Sequence, residues 1–149
     1  MPPPSIWGPP LWKVLHTISH INEKLHPSLK VDSERESIWI LNHIEYIIPC
    51  KECNEHVFEF KKKYPVPKAY SMLGEWVCNL HNSVNVKLGK DIHVYSFAVD
   101  AAAVAVENIV KDWESFLKSI EDSILLGLVK GPYLREFTRH VLLWIRYSK

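Results

Sequence analysis

The chain has 149 residues, enough for one domain with a substantial hydrophobic core. Hydrophobic residues make up 47% and charged residues 23%, the composition of an ordinary globular protein, and the net charge of +1 gives no overall field that would attract nucleic acid. Only three cysteines are present, which argues against a secreted protein built on disulfide bonds.

Neither a signal peptide nor a membrane-spanning segment is predicted. The sequence opens Met1-Pro2-Pro3-Pro4, without a basic segment followed by an apolar run. No stretch approaches the roughly 20 consecutive apolar residues that cross a bilayer. We therefore expect a cytoplasmic protein with no membrane partner, in which a C-x-x-C motif is more often catalytic or metal-binding than structural.

The apolar pattern of the first half predicts four helices after an irregular arm at residues 1–8. Pro9 and Pro10 suit the first positions of helix one, whose apolar residues continue to Ile21. Helix two is expected to begin at a capping box formed by Ser33 and Glu36 and to close at Pro49. Helices three and four are predicted at about 50–63 and 70–88, with Gly89 ending the fourth.

The second half is also predicted to be helical. Residues 90–98 are expected to be irregular, a long helix is expected from about Asp100 to Gly131-Pro132, and an amphipathic helix follows it. The apolar stripe of this region favours a helical hairpin that buries its own face over a dimer or partner surface. Because no segment shows the alternation of a strand, we predict an all-α fold around one core.

Two cysteines directly after a proline form the most informative motif, Pro49-Cys50-Lys51-Glu52-Cys53. Proline is favoured in the first turn of a helix, and thiols at a helix start lie beside unpaired N–H groups and the positive end of the helix dipole. Such a position lowers the pKa of a thiol and favours the thiolate. The motif therefore predicts a redox-active dithiol; a thioredoxin-like reductase is less favoured because no βαβ pattern surrounds it.

A second motif lies on helix four, where Cys78, His81, Asn82, Asn85 and Leu88 share one face. Asparagine is a poor residue for a helix interior, so this polar stripe needs partners if it is buried. Two interpretations remain open. The cysteines and His81 have a spacing, C-x2-C-x24-C-x2-H, that fits a zinc site. Alternatively, the stripe holds an organic cofactor beside the dithiol, which would also give Trp12 and His16 a role.

Three blocks, in order, resemble the Erv/ALR family of FAD-linked sulfhydryl oxidases. They are Trp7-Gly8-Pro9-Pro10-Leu11-Trp12-Lys13-Val14-Leu15-His16, then Pro49-Cys50-Lys51-Glu52-Cys53-Asn54-Glu55-His56, then Cys78-Asn79-Leu80-His81-Asn82-Ser83-Val84-Asn85-Val86-Lys87-Leu88-Gly89-Lys90. These resemble the family's WG-x-x-x-W-x-x-LH, PC-x-x-C-x-x-H and C-x-x-HN-x-VN-x-x-LGK motifs. The resemblance covers about residues 6–98.

The resemblance implies a four-helix bundle with a short fifth element, usually a homodimer, holding FAD at the mouth of the bundle. It divides the chain into an FAD-binding core, 1–98, and a C-terminal helical extension, 99–149, packed on the same domain. Aromatic rings stack on flat ring systems, and Asn and Lys bind ribose, adenine or pyrophosphate groups. The residues expected to bind FAD are Gly8, Trp12, His16, His56, Cys78, His81, Asn82, Val84, Asn85, Leu88 and Lys90.

The implied reaction uses the two catalytic cysteines differently. Cys50, expected to be the more exposed, exchanges with the dithiol of a partner protein through a mixed disulfide. Cys53, expected beside the isoalloxazine, passes the electron pair to FAD, and molecular oxygen becomes hydrogen peroxide. The partner is a protein dithiol, either the final substrate or a thioredoxin-like shuttle.

The chain also departs from the family. Many members pair the third-block cysteine with another seventeen residues on, a position occupied here by Tyr95, so Cys78 is expected to be a buried free thiol. No additional shuttle C-x-x-C is present. This short form resembles members encoded by large cytoplasmic DNA viruses, which implies the host cytoplasm or the virion as its location. The remaining histidines, at 20, 26, 43, 93 and 140, lack the mutual spacing of metal ligands.

Overall fold

The structure, a computed structural model, describes residues 3–20 and 23–148. Within these ranges the regular structure is entirely helical, as predicted. The α-helices are α1 (Pro4–Ile18), α2 (Pro27–Asn42), α3 (Lys51–Lys63), α4 (Leu73–Lys87), α5 (Phe97–Ala103), α6 (Ile109–Ser119), α7 (Glu121–Leu125) and α8 (Gly131–Ser148). Short 3-10 turns occur at Ile44–Tyr46, Tyr70–Met72 and Val106–Asn108. None of the described helices has the length and apolar character needed to cross a bilayer.

The start of α1 differs from the prediction. The helix begins at Pro4, so Pro9 and Pro10 lie inside it instead of at its first positions. A proline inside a helix leaves the carbonyl four residues earlier without its N–H donor. Those carbonyls belong to Ser5 and Ile6, which are exposed, so water can satisfy them. The predicted continuation of this helix to Ile21 falls outside the described residues.

The capping box predicted for α2 is wrong. The helix starts two turns earlier, at Pro27, and the His26 side chain caps it by accepting a hydrogen bond from the Ser28 N–H at 3.2 Å. Ser33 is buried within the helix, where its hydroxyl pairs with that of Ser148 at 2.9 Å. The helix also ends at Asn42, before the 3-10 turn, so Pro49 does not close it.

The long helix predicted after Asp100 is interrupted. In its place the chain forms α5, a 3-10 turn, α6 and α7, separated by extended residues such as Val104 and by Gly127 at φ 75°. The positive φ at Gly127 is compatible with glycine because it has no Cβ. These breaks let α6 pack against α1, while α8 packs against α2.

One hydrophobic core joins the two halves of the chain. Trp113 of α6 stacks between Phe116 and Phe137, with ring centroids 5.3 and 5.6 Å away. Phe137 also contacts Trp39 of α2, at 6.0 Å. The C-terminal helices thus bury their apolar stripe largely against α1 and α2, which holds α1 in place at the site described next.

Phe137→Ala should lower the free energy of unfolding of the whole chain by about 4 kcal/mol, the usual cost of a large cavity in a core. Phe137 is fully buried at the centre of the aromatic cluster. Leu142→Ala, on the same helix but 54% exposed, should cost about 0.5 kcal/mol or less. Urea denaturation of both variants measures the difference. A separate unfolding transition that alone is shifted in Phe137→Ala would show instead that α6–α8 unfold independently.

Candidate active site

The main cavity of the described chain has a volume of about 1020 Å³ and lies among α1, α3, α4 and the α5–α6 connection. This is at the upper end of the roughly 300–1,000 Å³ that is usual for ligand sites. All the predicted site residues line it: Gly8, Trp12, His16, Cys50, Cys53, His56, Cys78, His81, Asn82, Val84, Asn85, Leu88 and Lys90. The cavity therefore brings together three sequence blocks whose lining residues, Gly8 and Lys90 at the extremes, are up to 82 residues apart.

Cys50 is the N-cap of α3, not a residue of its first turn. Its backbone is extended, at φ −132° and ψ 120°, so Pro49 lies before the helix. The Cys50 Sγ accepts a hydrogen bond from the Cys53 N–H at 3.3 Å, which satisfies one of the free donors of the helix start. Asn54 fixes the position of the chain that leads into α3, because its side-chain amide donates to the Glu45 carbonyl at 2.6 Å.

The cap brings the two sulfurs together. The Sγ atoms of Cys50 and Cys53 are 2.6 Å apart, with the Cys53 thiol donating to Cys50. A disulfide needs about 2.05 Å, so small side-chain rotations are enough to form or break the bond.

The predicted order of exposure is wrong. Cys50 is 8% exposed and packs in the hydrophobic core, whereas Cys53 has intermediate exposure. The physical reason is the cap, which turns the Cys50 side chain back over the helix end. Cys53 lies one turn along, where α3 borders the cavity.

The proton of the pair is held on Cys53. Burial, the hydrogen bond to Cys50 and the charge of Cys50 together raise the pKa of Cys53 to about 12, and the positive charge of Lys87 only partly opposes them. A helix start therefore does not lower the pKa of this thiol. The Cys50 sulfur accepts both the N–H and the S–H of Cys53.

Three rings from α1 and α4 form an aromatic wall, in which His16 is tilted by 39° from Trp12 and by 42° from His81. Trp12 stacks on His81 with ring centroids 4.0 Å apart and planes 8° from parallel. His16 Nε2 and His81 Nδ1 are 3.0 Å apart, so one nitrogen donates to the other. Burial lowers the pKa of both histidines to about 4, helped at His16 by His81 and at His81 by Lys90. Both rings are thus neutral at pH 7.

The end of α4 is shaped by Gly89, confirming the predicted glycine cap. Gly89 has φ 71°, and the N–H groups of Gly89 and Lys90 donate to the carbonyls of Val86 and Asn85 at 3.1 and 2.8 Å. This is the Schellman arrangement, which turns the chain sharply after the helix. The turn keeps Leu88 and Lys90 at the cavity although both lie beyond the helix.

Other predicted residues have partners within the protein. Asn82 uses its amide to bind the backbone of His93, with its oxygen accepting at 2.9 Å and its nitrogen donating at 2.6 Å. The Cys78 thiol also donates to the His93 carbonyl, at 3.7 Å. His56 Nε2 lies 2.9 Å from the Ser83 hydroxyl, and burial lowers the pKa of His56. These three side chains border the cavity, and each is oriented by these bonds.

The proposed zinc set is not assembled. Within residues 3–20 and 23–148, no three His, Cys, Asp or Glu side chains are grouped so that they could hold a metal ion. His81 is occupied by Trp12 and His16, and Cys78 faces the His93 carbonyl.

Several cavity residues were missed by the sequence reasoning. Lys87 and Lys90 both line the cavity, and neither forms an ion pair with a described residue; of these two, only Lys90 was predicted. Lys87 lies three residues after the predicted residue Val84 and on the same face of α4, which could have indicated it. The residues contributed by the C-terminal half carried no such signal, because only packing brings them here: His93, Asp100, Ala103, Val104, Ala105, Asn108 and Asp112.

The sequence model of the Erv1/Alr family matches residues 9–114, well over half of the chain. The chain belongs to the Erv1/Alr family. The resemblance inferred from the three motif blocks is thereby confirmed, and the match extends beyond them to α6.

Named Erv1/Alr relatives are viral and cellular. An FAD-linked sulfhydryl oxidase of African swine fever virus is 34% identical over 116 residues, covering 77% of this chain and 87% of the viral protein. An FAD-linked sulfhydryl oxidase ERV1 of rice is 34% identical over 86 residues, 57% of this chain and 43% of the plant protein. The FAD-linked sulfhydryl oxidase ERV2 of Saccharomyces cerevisiae is 32% identical over 84 residues, covering 55% of this chain and 41% of the yeast protein. No solved structure matches the chain.

The cavity of this Erv1/Alr chain has the features that FAD requires. The stacked Trp12 and His81 rings suit a planar ring system, and two lysines that form no ion pair with a described residue suit a diphosphate. The dithiol borders the same space. The fit rests on the chemistry of these side chains and on the size of the cavity.

The neutral histidine pair predicts a dependence of stability on pH. The pKa of His16 and of His81 is near 4 in the folded protein, below the ordinary 6.5. Between these values the unfolded chain binds more protons, so the free energy of unfolding should fall as the pH drops from about 6.5 to 4. A double variant, His16→Phe with His81→Phe, keeps the rings and should flatten this slope in urea denaturation at pH 7 to 4.5. An unchanged slope would contradict the assignment.

Proposed function

We propose that this protein is an FAD-linked sulfhydryl oxidase that converts a dithiol and molecular oxygen into a disulfide and hydrogen peroxide. One observation carries the proposal: the Cys50–Cys53 pair and the Trp12–His81 stack border one cavity of about 1020 Å³. The dithiol is a two-electron donor, and the stacked rings offer a binding surface for a planar electron acceptor in the same cavity.

Trp12, His16 and His81 would hold the ring system of FAD, and Lys87 and Lys90 its diphosphate. The neutral imidazoles keep additional positive charge away from the ring site, while the two ammonium groups provide charge-assisted hydrogen bonds. Gly8, Val84, Asn85 and Leu88 complete the wall without competing ion pairs. The chemistry that bound FAD supplies is acceptance of the electron pair of the dithiol and its transfer to oxygen.

The cysteines would act in sequence. A substrate thiolate attacks Cys50 in the Cys50–Cys53 disulfide, forming a mixed disulfide and releasing Cys53, which takes up a proton because its pKa is high. The second thiol of the substrate then attacks the substrate sulfur that is bonded to Cys50. This frees Cys50 and leaves a disulfide in the substrate. The Cys53 N–H, which donates to Cys50 Sγ, stabilises the negative charge on the freed Cys50. Its exposed neighbours Lys51 and Glu52 mark the side from which a partner approaches this nearly buried sulfur.

The substrate we propose is a protein dithiol, delivered directly or by a thioredoxin-like shuttle. The absence of a further C-x-x-C among the 149 residues supports an external electron donor. We also propose a homodimer acting in the cytoplasm, in a host cell or virion if the gene is viral, with residues 1–98 as the oxidase core and 99–149 as its extension. The family motifs of residues 6–98 support the dimer and the domain division, and the similarity to a viral relative supports the location.

Cys53→Ser should abolish oxygen consumption with dithiothreitol while FAD remains bound, because the serine keeps the cavity wall but cannot give up electrons. An oxygen electrode measures turnover, and visible absorbance measures bound flavin. Turnover that survives the substitution would show that Cys53 does not donate to the flavin.

Purified protein should be yellow, with about one FAD per chain by absorbance. The alternative zinc-binding interaction module would be colourless and carry zinc at Cys50, Cys53, Cys78 and His81. Elemental analysis of the same sample separates the two. Stoichiometric zinc with no flavin would overturn the oxidase proposal.

A further inference from the structure

The segment that follows α4, residues 91–96, has no regular structure and is mostly exposed. Between Asp91 and Tyr95 it makes no backbone–backbone hydrogen bond to any described residue. Yet it leads into a wall of the cavity, because His93 and Asp100 line that space. Side chains must therefore hold this segment in position.

The first tie comes from α4. Asn82 binds both the N–H and the carbonyl of His93, at 2.9 and 2.6 Å. A side-chain amide that pairs with both backbone groups of one residue imitates the pairing of a strand neighbour, and it leaves neither group unsatisfied. His93 is thereby fixed beside the α4 residues that form the cavity.

The second tie comes from the C-terminal end of α1. His20 Nδ1 lies 2.8 Å from the His16 carbonyl, so this nitrogen carries the proton and donates it. His20 Nε2 is then an acceptor, and the Tyr95 hydroxyl, 3.1 Å away, donates to it. Burial, with the negative charges of Asp100 and Glu75, raises the pKa of Tyr95, so the hydroxyl keeps its proton.

Gly74 of α4 leaves the space in which the His20–Tyr95 bond forms. A Cβ at this position would lie 2.5 Å from both His20 Nε2 and the Tyr95 hydroxyl, closer than real Cβ atoms approach. Only glycine leaves room for the two side chains to meet against the helix. The bond thus joins α1, α4 and the 91–96 segment at one point.

A third set of bonds closes the segment upon itself. His93 Nε2 lies 2.7 Å from Asp100 Oδ1, and the Ser96 N–H donates to Asp100 Oδ2 at 2.8 Å. These bonds fix the start of α5 relative to His93. All three ties are non-covalent, in a segment whose Tyr95 stands where many family members have a cysteine.

We propose that Tyr95 and His20 are positioning residues of the cofactor site. Their hydrogen bond, together with the Asn82–His93 bonds, holds the 91–96 segment and the start of α5 against the cavity. Held in this way, the segment slows the release of FAD. Neither side chain lines the cavity, so each acts through His93 and Asp100. The inference rests on the proposed function, because it concerns the retention of FAD.

Tyr95→Phe removes only the hydroxyl, so it is the most direct test. FAD release from the loaded protein, followed by flavin fluorescence, should become about fivefold faster, equivalent to about 1 kcal/mol for one net hydrogen bond. Amide exchange in the loaded protein should accelerate at residues 91–96, including the His93 amide, but not in α2 or α8. Gly74→Ala should act in the same direction, because its Cβ separates the pair.

Tyr64→Phe is the matched control, because it also removes one tyrosine hydroxyl. Tyr64 is 50% exposed, and its hydroxyl makes no hydrogen bond to a described residue. It should change neither release nor exchange. An unchanged release rate in Tyr95→Phe overturns the proposal, whether or not the segment exchanges faster. Failure of the proposed function looks different, since the wild-type protein would then carry no flavin, while exchange at His93 would still report on the tie.

Discussion

The hydrogen bond from the Cys53 N–H to Cys50 Sγ determines where the reactive sulfurs lie. An N-cap residue must leave helical geometry, and its side chain must turn back to reach a donor three residues on. With cysteine in that role, the capping atom is itself the reactive atom. The same requirement buries Cys50, directs Cys53 to the cavity and places the pair within bonding reach. Structural capping and redox chemistry thus depend on the same contact.

The cavity needs all parts of the chain because no pair of helices encloses it. α4 supplies the polar stripe, α1 the opposing aromatic face, and α3 the dithiol. α1 is in turn held by α6, whose Trp113 and Phe116 are buried in the common core. The C-terminal helices therefore support the site mechanically, although they contain no cysteine. Their connection to α5 also closes one wall of the cavity, through residues such as Ala103 and Asn108.

The sequence predicted the parts of this structure that depend on local chemistry. Helical periodicity identified the all-α class, and the motif blocks identified thirteen residues that line one cavity. Gly89 was also found correctly, since a positive φ strongly favours glycine. Errors arose where distant contacts decide. Ser33 looked like a cap but is buried against Ser148, and the start of α2 depends instead on His26.

The exposure of the cysteines was unpredictable for a related reason. Spacing places two thiols one turn apart, but it does not say which of them will cap the helix. The direction of the Cys53 pKa shift followed from the same unknown, because burial and the neighbouring sulfur outweigh the helix start. Likewise, Tyr95 appeared in the sequence only as a missing cysteine. Its bond to His20 depends on the end of α1 and on the lack of a side chain at Gly74, which lie 75 and 21 residues away.

The cavity combines neutral rings with positive charges from α4 and the turn that follows it. Near Trp12 the imidazoles are neutral, and Lys90 contributes to that neutrality by lowering the pKa of His81. Towards the end of the helix, the negative end of the helix dipole favours the positive charges of Lys87 and Lys90. A ligand that combines a neutral ring system with a doubly charged diphosphate carries the groups that complement both features. Rings for stacking and ammonium groups for a diphosphate therefore line one cavity.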